Sequence, residues 1–469
     1  MTKILFLQEY LFEFIGPMQL SAMLKSKGHE TDLLVWQKEK DIISSIKKIN
    51  PDVIAFSVST GYHKLALEKA RYIKSRLNIP CIFGGPHPTF FPDFINEPEV
   101  DMICIGEGDI AFLELADKIQ KKQDITNIKN LWVRKDGKIY KNEIRPLIED
   151  LDSLPFIDRE LYYKRYPFLR DLSVKKFMLG RGCPYNCTFC FNKSMKELYK
   201  DKGRYVRKRS PENIIKEMKY VKEKYSLKSV RISDDTFTTN HEWLKNLLEL
   251  YKREIKLPFT ALCRVNELDE PIIKELADAG CKVMFFGIES GDEGIRNNIL
   301  NKNISDEQII TAASLLRKYN IKFGTYNMFG LPDETVEKAL KTVKINAKIK
   351  PDYPYSTVFQ PYPATQIVDF AKKSGQLPAD FSIDDVGSMT SRNVLNLKEK
   401  DQIANLQRFF YLCVRFPFII PVVKKLIKLP PNFIFKMIYN ITAGWTRMKA
   451  FGANLKEGLR LAWELRSNA

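Results

Sequence analysis

Residues 179–192 read Leu179-Gly180-Arg181-Gly182-Cys183-Pro184-Tyr185-Asn186-Cys187-Thr188-Phe189-Cys190-Phe191-Asn192 and place three cysteines within eight positions. They follow an apolar run, Lys176–Leu179, that predicts a strand, so the cysteines fall on the loop after that strand. Spacings of three and two residues let one loop surround a four-iron cluster and bind three of its irons through thiolates. The fourth iron then stays open to a small molecule. The sequence therefore predicts an iron–sulfur site with the metal ligands Cys183, Cys187 and Cys190.

Structural zinc is the main alternative for these thiols. Zinc usually takes four ligands, often as C-x-x-C pairs, and no fourth Cys or His lies nearby in sequence. The other cysteines are scattered along the chain, which indicates a reducing compartment and disfavours a disulfide. The cluster is the favoured interpretation, and zinc or unrelated thiols remain alternatives.

Length, composition and charge narrow the class of protein. A chain of 469 residues with 44% hydrophobic and 28% charged residues is typical of a folded protein with two or three domains. The first residues, MTKILFLQEY, lack the apolar core and cleavage site of a signal peptide, so we expect a cytoplasmic protein. The net charge of +18 suggests nucleic acid, but no RNA-binding motif accompanies it, and many lysines fall on solvated helix faces. We therefore do not expect nucleic acid to be the main substrate.

Residues 1–130 alternate short apolar strands with helices, which predicts a doubly wound, Rossmann-like parallel sheet. Ligands of such sheets bind at the carboxyl ends of the strands. Three glycine-containing loops follow strands there: Ser57–Gly61, Gly84–Pro88 and Gly106–Asp109. Glycine lets the backbone approach a bulky ligand closely. We expect these loops to line one ligand-binding edge.

The rest of the chain divides into three parts. Residues 131–168 predict a connector with a hairpin around Lys135–Gly137. Residues 169–395 hold a second series of six strands with intervening helices, which predicts a partial (β/α)6 barrel rather than the complete eight-fold form. Residues 396–469 predict a basic, apolar helical region without a segment long enough to span a bilayer. That region could lie on an anionic membrane surface, cap the open end of the barrel or form a subunit contact.

The cysteine motif, with the aromatic Phe189 before its last cysteine and its place after the first strand of a barrel, resembles the radical S-adenosylmethionine (SAM) superfamily over about residues 170–395. The resemblance implies that the open iron of a 4Fe–4S cluster chelates SAM. One electron from an external flavodoxin- or ferredoxin-like donor then cleaves SAM to a 5′-deoxyadenosyl radical. It also implies that polar groups after later strands bind SAM.

The positions that match in order are cofactor-binding candidates: Phe189, Ser233, Asp234, Asp235, Arg264, Glu289, Ser290, Gly330 and Leu331. Each could instead be a helix cap or a loop residue, and Asp234 and Asp235 are the clearest examples because Asp is common in turns and caps.

A doubly wound domain ahead of such a barrel resembles the cobalamin-binding radical SAM class. The resemblance implies a corrin between the two domains, with its nucleotide tail at the glycine-lined edge of the first sheet. The candidate residues are Ser57, Thr60, Gly84, Gly85, His87, Gly106 and Glu107. The D-x-H-x-x-G motif that supplies a cobalt ligand in many cobalamin proteins is absent, and His87 is not expected to ligate cobalt. A degenerate domain without cofactor remains an alternative.

With both cofactors, the resemblance implies radical methylation, in which methylcobalamin delivers a methyl group to an unactivated carbon of a small-molecule or lipid-like substrate. A cobalamin-linked oxidative cyclisation, as in the anaerobic Mg-protoporphyrin cyclase, is the first alternative. A methylthiotransferase acting on tRNA is the second. Such enzymes carry three further cluster cysteines in the N-terminal domain, where this chain has only Cys81 and Cys104. A non-enzymatic cobalamin- or SAM-binding regulator would not need the three thiolates.

Overall fold

The computed structural model describes residues 1–386 and 393–450. Contacts divide the described residues into two units: the first contains Met1–Leu172 and Tyr199–Arg204, and the second contains Ser173–Leu198 and the described residues from Tyr205 to Ala450. Residues 451–469 of the predicted C-terminal region, and residues 387–392, lie outside the described residues.

The first unit is built on one sheet with helices between its strands. Its strands are β1 Lys3–Gln8, β2 Glu30–Val35, β3 Val53–Ser57, β4 Cys81–Gly84, β5 Met102–Cys104, β6 Leu131–Lys135 and β7 Lys138–Lys141. Its helices are α1 Ile15–Ser26, α2 Ile42–Ile49, α3 His63–Lys74, α4 Pro86–Phe90, α5 Asp109–Gln120, α6 Glu160–Tyr163 and α7 Pro167–Asp171.

The strand order β2-β1-β3-β4-β5 is parallel and confirms the predicted doubly wound sheet. The chain reverses direction across the sheet between β1 and β3, which is where open α/β sheets bind ligands. The centre of β1 is buried on both faces, as expected for a strand covered by helices on two sides. Strands β6 and β7 add antiparallel, and Asp136 and Gly137 between them both have positive φ, so the predicted hairpin is present.

The second unit carries the parallel sheet that follows the cysteine motif. Its strands are β8 Val174–Phe177, β9 Gly180–Arg181, β10 Arg207–Lys208, β11 Ser229–Ile232, β12 Phe259–Cys263, β13 Cys281–Glu289, β14 Lys322–Phe329 and β15 Tyr353–Val358. Its helices are α8 Phe191–Leu198, α9 Pro211–Lys224, α10 His241–Glu254, α11 Glu270–Asp278, α12 Asp306–Lys318, α13 Val336–Ile349, α14 Gln366–Lys373, α15 Lys400–Arg415, α16 Ile420–Leu426 and α17 Phe433–Ala450.

The strand order β8-β11-β12-β13-β14-β15 is sequential and parallel, and in the described chain β8 and β15 are the edges of this sheet. Residues from both edge strands line one cavity, so the sheet curls into an open barrel, in line with the predicted partial barrel. Side chains at the N-caps fix where the helices begin, because each accepts a hydrogen bond from a backbone amide of the first turn. These caps are Ser210, Asn240, Asp269, Ser305 and Thr335.

The C-terminal helices cover the open side of this barrel next to β15. Helix α15 packs on α13 and β15, and α17 packs on α15 and β15. The contact is apolar: Phe410 meets Phe329 edge-on, and Phe435 meets Phe409 in the same way. Among the helices that the structure describes, none is long and apolar enough to cross a membrane.

Candidate active site

The cysteine loop leaves β8 and is fixed by hydrogen bonds to elements far away in sequence. The amide of Leu179 donates to Asp234 Oδ1 at 2.7 Å. The amide and hydroxyl of Thr188 donate to the carbonyls of Leu300 and Ile299 at 3.1 and 2.6 Å. The loop is therefore placed at the carboxyl edge of the sheet, as the sequence predicts.

Gly182 gives the loop a backbone shape that other residues resist. Its φ is +87°, and a Cβ there would lie 2.4 Å from the carbonyl oxygen of Tyr205. The turn before Cys183 therefore depends on glycine both for its dihedral angle and for space.

Burial raises the pKa of Cys183 to about 11 and also raises the pKa of Cys190. The amide and the side-chain Nδ2 of Asn192 lie 3.5 and 3.6 Å from Cys190 Sγ, so both N–H groups point at this sulfur. Such thiols lose their protons on binding iron, and N–H donors to the sulfurs are a usual part of iron–sulfur sites. In the part of the chain that the structure describes, no three His, Cys, Asp or Glu side chains converge as ligands of one ion. The donor set of three thiolates on one loop fits a cluster in which each thiolate binds a different iron.

Arg264, after β12, reaches the second cysteine. Its Nη1 lies 3.4 Å from Cys187 Sγ, and its guanidinium lies 3.7 Å from the centroid of the Tyr185 ring. The side chain is buried, and its other nitrogens donate to the Lys302 carbonyl and to Asn266 Oδ1. The structure thus brings Arg264 and Cys187 together across 77 residues of sequence.

The three polar residues after β11 have different surroundings. Asp234 is buried, accepts from the Leu179 amide and pairs with Lys208 Nζ at 2.8 Å. Asp235 is exposed and accepts from Asn192 Nδ2 at 3.2 Å, beside the cysteine loop. The side chain of Ser233 is half-buried. Asp234 therefore holds the loop in place, while Asp235 presents a carboxylate to the mouth of the barrel.

The end of β13 is bent so that Glu289 turns back over the strand. Its φ is +63°, and a Cβ on Gly287 would lie 1.9 Å from Glu289 Oε1. Lys302 Nζ lies 3.3 Å from the same carboxylate oxygen. Ser290 is fully buried, and its hydroxyl accepts from the Asp292 amide at 3.2 Å. Glu289 is thus half-buried and paired with Lys302, whereas Ser290 belongs to the turn itself.

The turn after β14 uses its polar atoms internally. The amides of Gly330 and Leu331 both donate to the carboxylate of Glu334, and burial raises the pKa of Glu334 to about 8. Asn393 Nδ2 donates to the Gly330 carbonyl at 2.6 Å. Phe189 of the cysteine loop packs against the apolar core of this same region.

In the first unit, the predicted loops form one edge. The Val58 amide donates to the Gly84 carbonyl at 2.8 Å, and the His87 amide donates to the Val58 carbonyl at 3.0 Å. The Gly106 amide donates to Thr89 Oγ1 at 3.0 Å, which joins the third loop to the second. Ser57 is exposed, while Thr60 is buried. The edge offers backbone and small polar groups, which suits a nucleotide tail.

The glycines of this edge lie against protein as well. A Cβ on Gly85, whose φ is +98°, would lie 2.9 Å from the Val58 carbonyl oxygen. A Cβ on Gly106, whose φ is +75°, would lie 2.0 Å from the Tyr199 hydroxyl, which accepts from the Glu107 amide at 2.7 Å. Close packing between the loops is therefore enough to require glycine at both positions, with or without a bound ligand.

His87 lies in the short helix α4 rather than in a loop. Its ring is 2% exposed, stacks on His63 with centroids 4.2 Å apart and meets Phe94 edge-on. Thr60 Oγ1 lies 3.4 Å from its Nδ1. His87 therefore packs beneath the loops of this edge.

Sequence reasoning missed the residues that support these candidates. They are His63, Tyr185, Tyr199, Lys208, Lys302 and Glu334. Each acts through a partner that the local sequence pattern does not reveal. Only Glu334 had a signal in the sequence, because it is an acidic residue in the Pro332-Asp333-Glu334 turn.

Each of the two units matches the model of a known protein family. Residues 177–345 match the family described as "Radical SAM superfamily", and residues 9–116 match the "B12 binding domain".

Two curated relatives are similar over most of the chain. An uncharacterized methyltransferase of Pyrococcus horikoshii is 30% identical over 365 residues, which cover 76% of this chain and 78% of that protein. The anaerobic magnesium-protoporphyrin IX monomethyl ester cyclase of Rubrivivax gelatinosus is 25% identical over 74% of this chain, and the match spans 64% of the cyclase's length.

Among solved structures, the cobalamin-dependent S-adenosylmethionine radical enzyme OxsB with aqua-cobalamin and S-adenosylmethionine bound matches with a TM-score of 0.71. The match covers 100% of this chain and 75% of OxsB at 17% identity. At that identity the likeness concerns the fold.

Proposed function

This chain belongs to the B12-binding radical SAM family, and we propose that it methylates an unactivated carbon of a small-molecule or lipid-like substrate. Its cofactors are a 4Fe–4S cluster, SAM and cobalamin. When bound, they supply a 5′-deoxyadenosyl radical that takes a hydrogen atom from the substrate and a methyl group that replaces it. The single observation that carries the proposal is a three-thiolate loop at the carboxyl edge of a parallel barrel in a chain that also has a B12-binding domain.

We propose that Cys183, Cys187 and Cys190 bind the cluster, and that Arg264 positions the second of them. Its guanidinium is held by Tyr185, Asn266 and the Lys302 carbonyl, so it can donate to the Cys187 sulfur without moving. A donor held in this way fixes the direction of the Cys187 sulfur.

We assign the SAM contacts to polar groups that remain available at the barrel mouth: Ser233, Asp235 and Glu289. Asp235 and Glu289 are acceptors suited to the amino group or ribose hydroxyls of SAM. Asp234, Ser290, Gly330, Leu331 and Phe189 shape the mouth through the internal contacts described above. These residues hold SAM and the cluster in a fixed geometry and exclude water.

We assign the cobalamin tail to the edge formed by Ser57, Thr60, Gly84, Gly85, Gly106 and Glu107, with His87 beneath them. The backbone amides and small side chains there can receive a phosphate or amide. We propose that residues 1–130, 131–168, 169–395 and 396–469 are the functional domains, with cobalamin in the first and SAM in the third.

A radical SAM enzyme needs a reductant and a substrate. We propose an external flavodoxin- or ferredoxin-like donor, because only the barrel's three cysteines are grouped as cluster ligands in this sequence.

We also propose that the C-terminal helices touch an anionic membrane surface from the cytoplasmic side. From Gln402 to Ala450 the sequence has no Asp or Glu, and it has eight basic residues. On α17 a stripe of exposed apolar side chains repeats every four residues: Phe433, Met437, Ile441 and Trp445. We call this set the outer stripe. An apolar stripe beside lysines is the pattern of a helix lying in a membrane interface.

The two SAM-derived products test the reaction. Full-length protein with reconstituted cluster and cobalamin is incubated anaerobically with SAM, a reductant and candidate substrates. Methyl transfer consumes one SAM as methyl donor and one as radical source, so S-adenosylhomocysteine and 5′-deoxyadenosine should appear in equal amounts. Formation of 5′-deoxyadenosine without S-adenosylhomocysteine would instead favour the oxidative cyclisation.

The cyclase in Rubrivivax gelatinosus keeps cyclisation as the second candidate. A tRNA methylthiotransferase is less well supported, because Cys81 and Cys104 in the first unit are buried in adjacent strands, and burial raises the pKa of each to about 12.

A further inference from the structure

A cavity of about 650 Å³ lies inside the open barrel at the amino-terminal ends of its strands. Alternate residues of successive strands line it, including Arg231, Thr260, Phe285 and Tyr326. The cysteine loop follows the opposite, carboxyl ends of the same strands. We call this cavity the inner chamber.

Aromatic rings form one wall of the inner chamber. Phe285, Tyr326 and Tyr355 stand on three adjacent strands, with successive ring centroids 5.8 and 5.6 Å apart. Gly324 makes this row possible, because a Cβ there would lie 2.4 Å from the Phe285 ring. A continuous row of ring faces suits an apolar or aromatic body.

Helices α15 and α17 form the facing wall. Residues Tyr439, Thr442 and Thr446 lie on one face of α17 and line the chamber. The Tyr439 hydroxyl and Gln407 Nε2 both donate to the Ser356 carbonyl at 3.2 Å, which ties the two helices to β15. The C-terminal region thus completes a binding space as well as covering the barrel.

The charges that line the chamber are of one sign. Its described lining contains Lys228, Arg231, Lys282 and Arg408 and no Asp or Glu. Arg408 is half-buried on α15, and within residues 1–386 and 393–450 its guanidinium makes one hydrogen bond, to Asn405 Oδ1 at 3.3 Å. Burial lowers the pKa of Arg408, as expected for a cation whose charge is poorly solvated. A partly desolvated cation whose burial outweighs the attraction of the Asp401 carboxylate favours an anionic ligand.

We propose that the inner chamber receives the substrate, and that this substrate is an amphiphilic organic anion with an apolar or aromatic body and a carboxylate or phosphate group. This inference rests on the proposed methyl transfer and names the substrate's chemical class. The ring row and α17 hold the body, and Arg408 with Arg231 holds the anion.

The geometry also sets a minimum length for the substrate. Phe285 and Glu289 are four residues apart on β13, which is about 13 Å along a strand. A molecule whose body lies against Phe285 must extend about that far for a carbon to reach the level of Glu289. The chamber therefore favours an elongated substrate.

Two fluorescent probes with the same aromatic body test the proposal on the full-length, reconstituted protein. One is 8-anilinonaphthalene-1-sulfonate, which is an anion, and the other is N-phenyl-1-naphthylamine, which is neutral. We expect the anion to bind at one site per chain. Arg408→Gln should weaken the anion about tenfold, the size expected for one charge-assisted hydrogen bond, and leave the neutral probe within about twofold.

Ala443→Trp, which fills the chamber from α17, should remove both probes. Matched controls outside the chamber are Lys436→Gln and Asn440→Trp, and both should bind as the wild type does. Thermal melts show whether each variant is folded. Equal binding of the anion to wild type and Arg408→Gln, or unchanged binding in folded Ala443→Trp, would overturn the proposal. Probe binding needs neither SAM nor reductant, so its failure leaves the proposed methyl transfer standing and the reverse also holds.

Discussion

Single residues decide whether the cysteine loop can form. Gly182 holds a positive φ against the backbone of Tyr205, and Arg264, at the end of β12, donates to the Cys187 sulfur. The sequence predicted the cysteines because their spacing is local. It could not predict which side chain would reach the Cys187 sulfur, because the strand end that supplies Arg264 is placed by the fold.

Gly182→Ala should destabilise the protein by about 1–3 kcal/mol and lower its iron content after reconstitution, because Ala there is strained and meets the Tyr205 carbonyl. Gly16→Ala is the control, since Gly16 lies in α1 and a Cβ added there would point into open space. Thermal melts and iron analysis compare the two. Equal iron content in both variants would contradict the role given to Gly182.

Glu334 should make stability depend on pH. Burial raises its pKa from 4.5 to about 8, so the folded protein favours the neutral carboxyl. The stability it contributes is full below its unfolded pKa of 4.5 and is lost as the pH rises towards 8. Urea unfolding between pH 5 and 8 should show a smaller loss of stability in Glu334→Gln than in the wild type. Glu337→Gln, on the exposed side of α13, should leave the slope unchanged, and an equal slope in all three proteins would refute the assignment.

At the scale of elements, local patterns predicted most strands and helices. The apolar runs at residues 3–8 and 322–329, flanked by polar turns, predict two strands, and the structure has strands with these bounds, Lys3–Gln8 and Lys322–Phe329. The run Val100–Ile105 also predicts a strand, but the strand in the structure is shorter, Met102–Cys104, because pairing with its neighbours covers only these residues. The packing of α17 on β15 was one of three alternatives, because an amphipathic helix does not specify its partner.

The two faces of α17 lead to a prediction for the element. Its inner face lines the chamber and its outer stripe is exposed, so Phe433→Ser with Ile441→Ser should weaken binding to phosphatidylglycerol vesicles by at least about tenfold. Sedimentation with vesicles measures this, and phosphatidylcholine vesicles should bind little. Ile110→Ser, an exposed apolar residue of the first unit, is the control. Wild-type protein that stays in the supernatant with anionic vesicles would contradict the membrane proposal.

At the scale of the whole molecule, the chain forms two compact units, and each matches one family of cofactor-binding domain. The order of the units along the chain and their sheet types were predictable, because both follow from the periodicity of apolar residues and from the turns between elements. The substrate was not, because the inner chamber combines residues from six strands and two helices.

Cofactor stoichiometry tests the central claim most directly. Full-length protein is reconstituted anaerobically with iron and sulfide, mixed with hydroxocobalamin and passed through gel filtration. We predict one 4Fe–4S cluster and one cobalamin per chain for the wild type, and loss of the cluster with retention of cobalamin for Cys187→Ala. Tight stoichiometric zinc in place of iron, or no cobalamin absorbance in the protein peak, would contradict the account.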